Sequence, residues 1–227
     1  MQVRFPNINY NYGKTINQPS VRGYRLLRPL QQDVVSFSGS EKISRYSNLN
    51  QMTTNTKIEK IKNEIGDKIK KNDVKAILNY FNIECEEDEN GLLTIDCYRQ
   101  PSNIFRFNDF GIDENKLFEK IKAVKGDADF RKSNITDLGN LQSIGGDANF
   151  RKSKIKDLGK LQSIGGDADF GKAYIKSASL GKLQSIGGNA DFGLSNITDL
   201  GELQSIGGNA YFENSMITNL GNLQTIG

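Results

Sequence analysis

Ile144-Gly145-Gly146-Asp147-Ala148-Asn149-Phe150-Arg151-Lys152-Ser153-Lys154-Ile155-Lys156-Asp157-Leu158-Gly159-Lys160-Leu161-Gln162-Ser163 is one unit of a chain that repeats itself. From Gly126 onward the same frame recurs five times, with Phe130, Phe150, Phe170, Phe192 and Phe212 spaced 20, 20, 22 and 20 residues apart. The Leu-Gly pairs beginning at Leu138, Leu158, Leu180, Leu200 and Leu220 keep the same steps, and the two extra residues of the third unit fall around Ser177–Ser179. A fixed period of this length marks a solenoid or a propeller. The unit is too short for a four-stranded blade and holds no stretch long enough for two helices, which leaves the solenoid.

Within the unit, Ile144, Gly146, Ala148 and Phe150 alternate as a strand with one buried face requires. Ile155, Leu158, Leu161 and Ile164 follow at steps of three, which suits a tight 3₁₀-like or turn segment returning beneath the core. Burial of one coil's few large side chains falls short of the cost of ordering its backbone, so stability must be collective along the array.

Aligned as Ala148-x-Phe150-x-x-Ser153-x-Ile155-x-x-Leu158-Gly159-x-Leu161, the unit resembles the leucine-rich repeat in its short 20-residue bacterial form, and its Ile-Gly-Gly-x-Ala-x-Phe portion is similar to the receptor L-domain repeat. The resemblance covers residues 124–227. Ser133, Ser153, Ser195 and Ser215 stand where the family has Asn, Ala173 departs further, and Gly replaces Pro. A hydroxyl in that place can still bond the neighbouring coil's backbone. The resemblance implies an α/β fold, a right-handed solenoid with a parallel β-sheet on one face, and binding of proteins or other macromolecules on that face. The outward residues there would be Asp127, Asp129, Arg131 and Lys132, then Asp147, Asn149, Arg151 and Lys152. Asp167, Asp169 and Lys172 follow, then Asn189, Asp191 and Leu194, and last Asn209, Tyr211 and Glu213. They form an acidic stripe beside a basic stripe that fades after the third coil. Changes concentrated at these outward places, over constant inward ones, are the pattern of a tailored recognition surface. Gly-Gly-Asp-Ala-Asp is also similar to calcium-binding β-rolls, but those repeat every nine residues and take their ligands from turns, and Asn189 and Asn209 relieve the stacked charge.

The rest of the chain divides by composition. Residues 1–50 carry a net charge of +5, hold Pro6, Pro19 and Pro29, and lack periodicity, reading as a flexible leader. Their mixture of Arg4, Phe5, Arg22, Tyr24, Arg25 and Arg28 is a weak candidate for nucleic acid or an anionic surface. Residues 51–112 read as a small α+β unit. Ile58, Ile61, Ile65 and Ile69 form one stripe of a Lys/Glu-rich helix, and Asp73 caps a second carrying Val74, Ile77, Leu78 and Phe81. Asn90-Gly91 predicts a two-residue hairpin turn with positive φ at both residues, which sets Cys85 and Cys97 nearly opposite on its apolar face. The acid run Glu86, Glu87, Asp88 and Glu89 sits at its tip. Residues 113–227 are the solenoid with its cap: Asp113 caps a short helix with Leu117, Phe118 and Ile121, in phase with the coils that follow. No such cap follows Leu220, Leu223 and Ile226, from which the solenoid is expected to continue in a longer chain or to dock on another chain.

Composition narrows the function classes. The 227 residues contain no His, which removes His metal ligands, Ser-His and Cys-His nucleophile pairs, and the commonest general base near neutral pH. Two cysteines cannot build a four-sulfur zinc site. A net charge of +3 does not call for nucleic acid, and no apolar run is long enough to span a membrane. The expectation is a non-catalytic module without cofactor, binding another protein; the lack of a secretory signal favours the cytoplasm. A structural spacer is the alternative.

Overall fold

Every coil stacks on the one before it because the chain turns three corners in twenty residues and returns to the same backbone register. The computed structural model describes residues 54–81, 83–99, 107, 111–131, 133–175 and 179–227. The leader, Lys132 and residues 176–178 of the third unit's insertion lie outside the described residues.

Two helices open the described chain, α1 (Thr54–Lys70) and α2 (Val74–Tyr80), with the side chain of Asp73 accepting the Ala76 N–H as an N-cap at 3.1 Å. Ile61, Ile65, Ile77 and Leu78 are buried between them and the strands that follow. A hairpin of β1 (Cys85–Glu87) and β2 (Leu93–Ile95) comes next, then the short strand β3 (Tyr98–Arg99) and helix α3 (Glu114–Phe118), capped by Asp113 through the Asn115 N–H.

The hairpin departs from expectation in two ways. Its loop is longer than Asn90-Gly91: the Asp88 carboxylate accepts the N–H groups of Asn90 and Leu92, both at 2.9 Å, and only Gly91 takes positive φ. The register therefore pairs Cys85 with Ile95, and Cys97 lies beyond the strand. No disulfide joins the two cysteines, and burial pushes the Cys85 thiol up. Three of the four acids at the tip are paired: Lys75 meets Glu87 at 2.7 Å, Lys125 meets Glu86 at 2.7 Å, and Lys122 meets Asp88.

The solenoid is an array of parallel strands with coil spacing of 20 residues, 22 at the insertion, and it carries two sheets. Strands β4 (Ile121–Val124), β6 (Ser143–Ile144), β8 (Ser163–Ile164), β10 (Ser185–Ile186), β12 (Ser205–Ile206) and β14 (Thr225–Ile226) form a first side, which β1 and β2 extend to eight strands. Strands β5 (Ala128–Asp129), β7 (Ala148–Asn149), β9 (Ala168–Asp169), β11 (Ala190–Asp191) and β13 (Ala210–Tyr211) form a second side with β3. The continuous strand implied by alternation from Ile144 to Phe150 is thus two strands divided by a bend at Gly145-Gly146. A third side carries isolated parallel bridges such as Asp137–Asp157 and Asp199–Asn219, and no helix among its described residues. Coils are numbered one to five after Phe130, Phe150, Phe170, Phe192 and Phe212.

The corners explain the composition of the unit. At the first, a Cβ on Gly165 would sit 2.2 Å from the Gly145 carbonyl oxygen, and Gly187 and Gly207 repeat that contact one coil on. At the second, the Ser153 N–H closes a turn on Phe150 O at 3.0 Å, with Lys152 in the left-handed region at φ 55°. At the third, the Leu161 N–H closes on Leu158 O at 3.1 Å around Gly159 at φ 60°.

Inside, the phenylalanines form a column of parallel rings, with centroids 4.8 Å apart for Phe150–Phe170 and 5.5 Å for Phe170–Phe192. Tyr98 continues it over Phe130 at 5.3 Å, and its hydroxyl donates to the buried Glu114 at 3.3 Å. Phe118 and Val124 fill the first coil as Leu138 and Ile144 fill the second, as the phase of the sequence implies. The serines do not bridge coils as expected. Ser195 donates to Phe192 O of its own coil at 2.8 Å, while the buried hydroxyls of Ser133 and Ser153 have no partner among the described residues.

Chemical denaturation of single variants checks this packing. Gly165→Ala is expected to lose about 2–3 kcal/mol to overpacking and Phe170→Ala about 3–5 kcal/mol to a cavity. Gly66→Ala, in α1 with open space around it, should gain about 0.5–1 kcal/mol.

Candidate functional site

The bend at Gly-Gly separates the outward residues into three columns with different duties. The first lies at the corner between the two sheets. Asp127 Oδ1 accepts the Asp147 N–H at 3.0 Å, Asp147 the Asp167 N–H at 2.8 Å, Asp167 the Asn189 N–H at 2.6 Å, and Asn189 the Asn209 N–H at 2.8 Å. These side chains cap the backbone of the next coil. Their carboxylate and amide oxygens satisfy donors that a bend would otherwise leave open.

The second column is the outer face of the second side, where Asp129, Asn149, Asp169, Asp191 and Tyr211 stand in strand register. The first four each accept the N–H two residues on: from Arg131 at 3.0 Å, Arg151 at 3.0 Å, Gly171 at 2.7 Å and Gly193 at 2.7 Å. Such local acceptors fix the second corner. Tyr211 has no acceptor in that place and is 51% exposed.

The third column is that corner itself, with Arg131, Arg151, Gly171, Gly193 and Glu213 followed by Lys152, Lys172, Leu194 and Asn214. Lys132, expected here, lies outside the described residues. Arg131 forks onto Asp129, with Nε 2.9 and 3.0 Å from its carboxylate oxygens, and that bond raises the Arg131 pKa. Arg151 reaches along the array to Asp169 at 3.7 Å and Asp191 at 3.9 Å. Asp169 nevertheless titrates above the usual carboxylate range, because burial outweighs its bond from Gly171 and the pull of Arg151. The arginines therefore compensate the acidic column. Lys152 and Lys172 are exposed and form no ion pair with any described residue.

Two further outward residues belong to this surface and escaped the strand-based reading, because they follow the second corner. Tyr174 is 65% and Met216 60% exposed. They share a column with Asn134, Lys154 and Asn196, and only comparison of the five units position by position reveals them. The outer face of the first side is different in kind: Ser143, Ser163, Ser185, Ser205 and Thr225 line a shallow groove with the glycines beside them. Among the described residues no group of three Cys, Asp or Glu converges to hold a metal ion, and no helix is long and apolar enough to cross a membrane. Comparison with family models, curated proteins and solved structures returns no match for this chain. The chain is a parallel β-solenoid of about five turns with near-20-residue spacing.

The two acidic columns should respond differently to substitution. Asp167→Ala removes a cross-coil acceptor and is expected to cost about 1 kcal/mol. Asp169→Asn keeps an acceptor, as Asn149 shows, and should leave stability at neutral pH unchanged or higher. The folded state holds the Asp169 proton more tightly than the unfolded chain, so this carboxylate opposes folding when ionised. That penalty is relieved as pH falls through its folded pKa. Urea titrations at several pH values should therefore show the advantage of Asp169→Asn shrinking in acid.

Proposed function

We propose that the solenoid is a non-catalytic recognition module that binds another protein on the outer face of its second side and the corner that follows. The observation that carries this reading is where the five coils differ. Their inward Phe, Ile and Leu positions repeat, and so do Gln142, Gln162, Gln184, Gln204 and Gln224, which are all exposed. Exposure alone therefore does not bring variation. Along the second side, by contrast, Asp129, Asp169 and Asp191 give way to Asn149 and Tyr211, and Arg131 and Arg151 beside them give way to Gly171, Gly193 and Glu213. Asn140, Lys160, Lys182, Glu202 and Asn222 vary at the third corner as well, but on the second side the change runs through two adjacent columns, giving a rigid surface whose chemistry changes along its length. The likeness of the coil's frame to the leucine-rich repeat supports the same reading, since that resemblance implies protein binding on the strand side.

A spacer role, in which the repeats supply length alone, is favoured by one observation: Asp127, Asp147 and Asp167 are spent on cross-coil bonds. The two roles separate experimentally. In affinity capture with the full chain followed by a binding isotherm for the captured protein, Arg131→Ala, Arg151→Ala and Asp169→Ala together should weaken a recognition module at least tenfold, about 1.4 kcal/mol. An unchanged isotherm would leave the spacer role in its place.

A further inference from the structure

Three positions near the distal end of the array lack a stabilising residue that a neighbouring coil has at the same place. Leu194 holds φ 57° at the second corner, where coil five has Asn214 at φ 51°. The left-handed region suits Asn and is unfavourable for a bulky side chain. Tyr211 replaces the acceptor that Asp191 supplies to the Gly193 N–H in the preceding coil. Met216 replaces the amide of Asn196, which accepts the Ile175 N–H at 2.8 Å and donates to Ile175 O at 2.7 Å. In exchange each presents an apolar side chain to solvent, 54% exposed for Leu194, 51% for Tyr211 and 60% for Met216. All three belong to one corner: the Leu194 N–H donates to Glu213 O at 3.0 Å, and Tyr211 precedes and Met216 follows Glu213 by two and three residues. Lys152 and Lys172 hold the same left-handed backbone, so it is the bonds given up at Tyr211 and Met216, together with the exposed apolar side chains, that mark a surface kept for contact rather than for folding.

The same corner is basic on the proximal side. Lys152 and Lys172 occupy the position of Leu194 in coils two and three, with no ion pair among the described residues, whereas the neighbouring carboxylates are covered by Arg131 and Arg151. Resting on the recognition reading above, we propose that this corner binds an extended acidic–apolar segment of a partner protein laid along the solenoid axis. Its carboxylates would meet Lys152 and Lys172, and a large apolar side chain would seat among Leu194, Tyr211 and Met216. Coils repeat at about 4.8 Å and an extended chain advances about 3.3 Å per residue, so the anchor follows the first carboxylate by about three residues. Two lysines on one line are too few for a continuous phosphate backbone, which Glu213 of coil five also opposes, whereas a peptide needs only two carboxylates to meet them.

The test uses the full chain and an array of synthetic dodecapeptides, each with two Asp or Glu residues followed two or three residues on by Leu, Phe or Tyr. Binding of the best peptide is then measured by fluorescence anisotropy. Leu194→Asn, Tyr211→Asp and Met216→Asn each install the residue another coil already uses, so melting temperatures should hold or rise while affinity falls at least tenfold. Lys152→Ala with Lys172→Ala should lower affinity and flatten its salt dependence. The proposal is overturned if no array peptide binds saturably, if the three corner variants bind as the parent does, or if a thymidine dodecamer binds more tightly than any peptide. Corner variants without effect, beside a loss of affinity in the Arg131, Arg151 and Asp169 alanine variant, would remove this corner and leave the sheet-face reading standing.

Discussion

Backbone-to-backbone contact between successive coils, at a corner with no room for a methyl group, is the constraint from which the rest follows. Gly145, Gly165, Gly187 and Gly207 each lie so close to the carbonyl of the previous coil that a Cβ would overlap it by more than an ångström of normal contact distance. That approach sets the rise per coil, and the rise in turn brings the phenyl rings to stacking distance and the corner carboxylates within reach of the next N–H. A single coil offers none of these partners to itself, so order in one coil depends on order in its neighbours.

The N-terminal elements serve that constraint as well. Strands β2 and β3 present to the first coil the same two lines of backbone groups that each coil presents to the next, through Leu93–Ile95 on one side and Tyr98 on the other. Tyr98 supplies an aromatic ring in the phenylalanine column, and Glu114 takes up its hydroxyl and the Asn134 N–H where solvent cannot reach. Burial, reinforced by Glu114, keeps the Tyr98 phenol neutral well past its ordinary range. The helix and hairpin unit is thus continuous with the array and not a separate body attached to it.

The period, the inward residues and the two Asp-capped helices were legible because each is a spacing rule with a single physical cause. The bend was not. Ile144, Ala148 and Phe150 point inward whether the chain between them runs straight or turns, so alternation carries no record of a corner. Nor could sequence tell that Asp147 serves the backbone of coil three while Asp169 serves its own corner, since both are Asp flanked by small residues. The same blindness governed the hairpin, where Asp88 rather than Asn90-Gly91 sets the loop and shifts Cys97 away from Cys85. In sequence, side chains that bond the main chain are indistinguishable from surface charge, because the donor is set by the fold.

Because each unit starts and finishes at one backbone position, the array tolerates editing by whole modules. Removing residues 144–163 would join Ser143 to Ile164, two residues that already follow one another in the repeat, and would bring Gly126 and Gly166 into the relation that Gly146 and Gly166 now hold. The molecule would be about 4.8 Å shorter, with its helical start and its last coil intact. Such a chain can change its reach, and the order in which it displays charged and apolar rungs, by duplicating or losing gene segments of one repeat, with no new fold to invent.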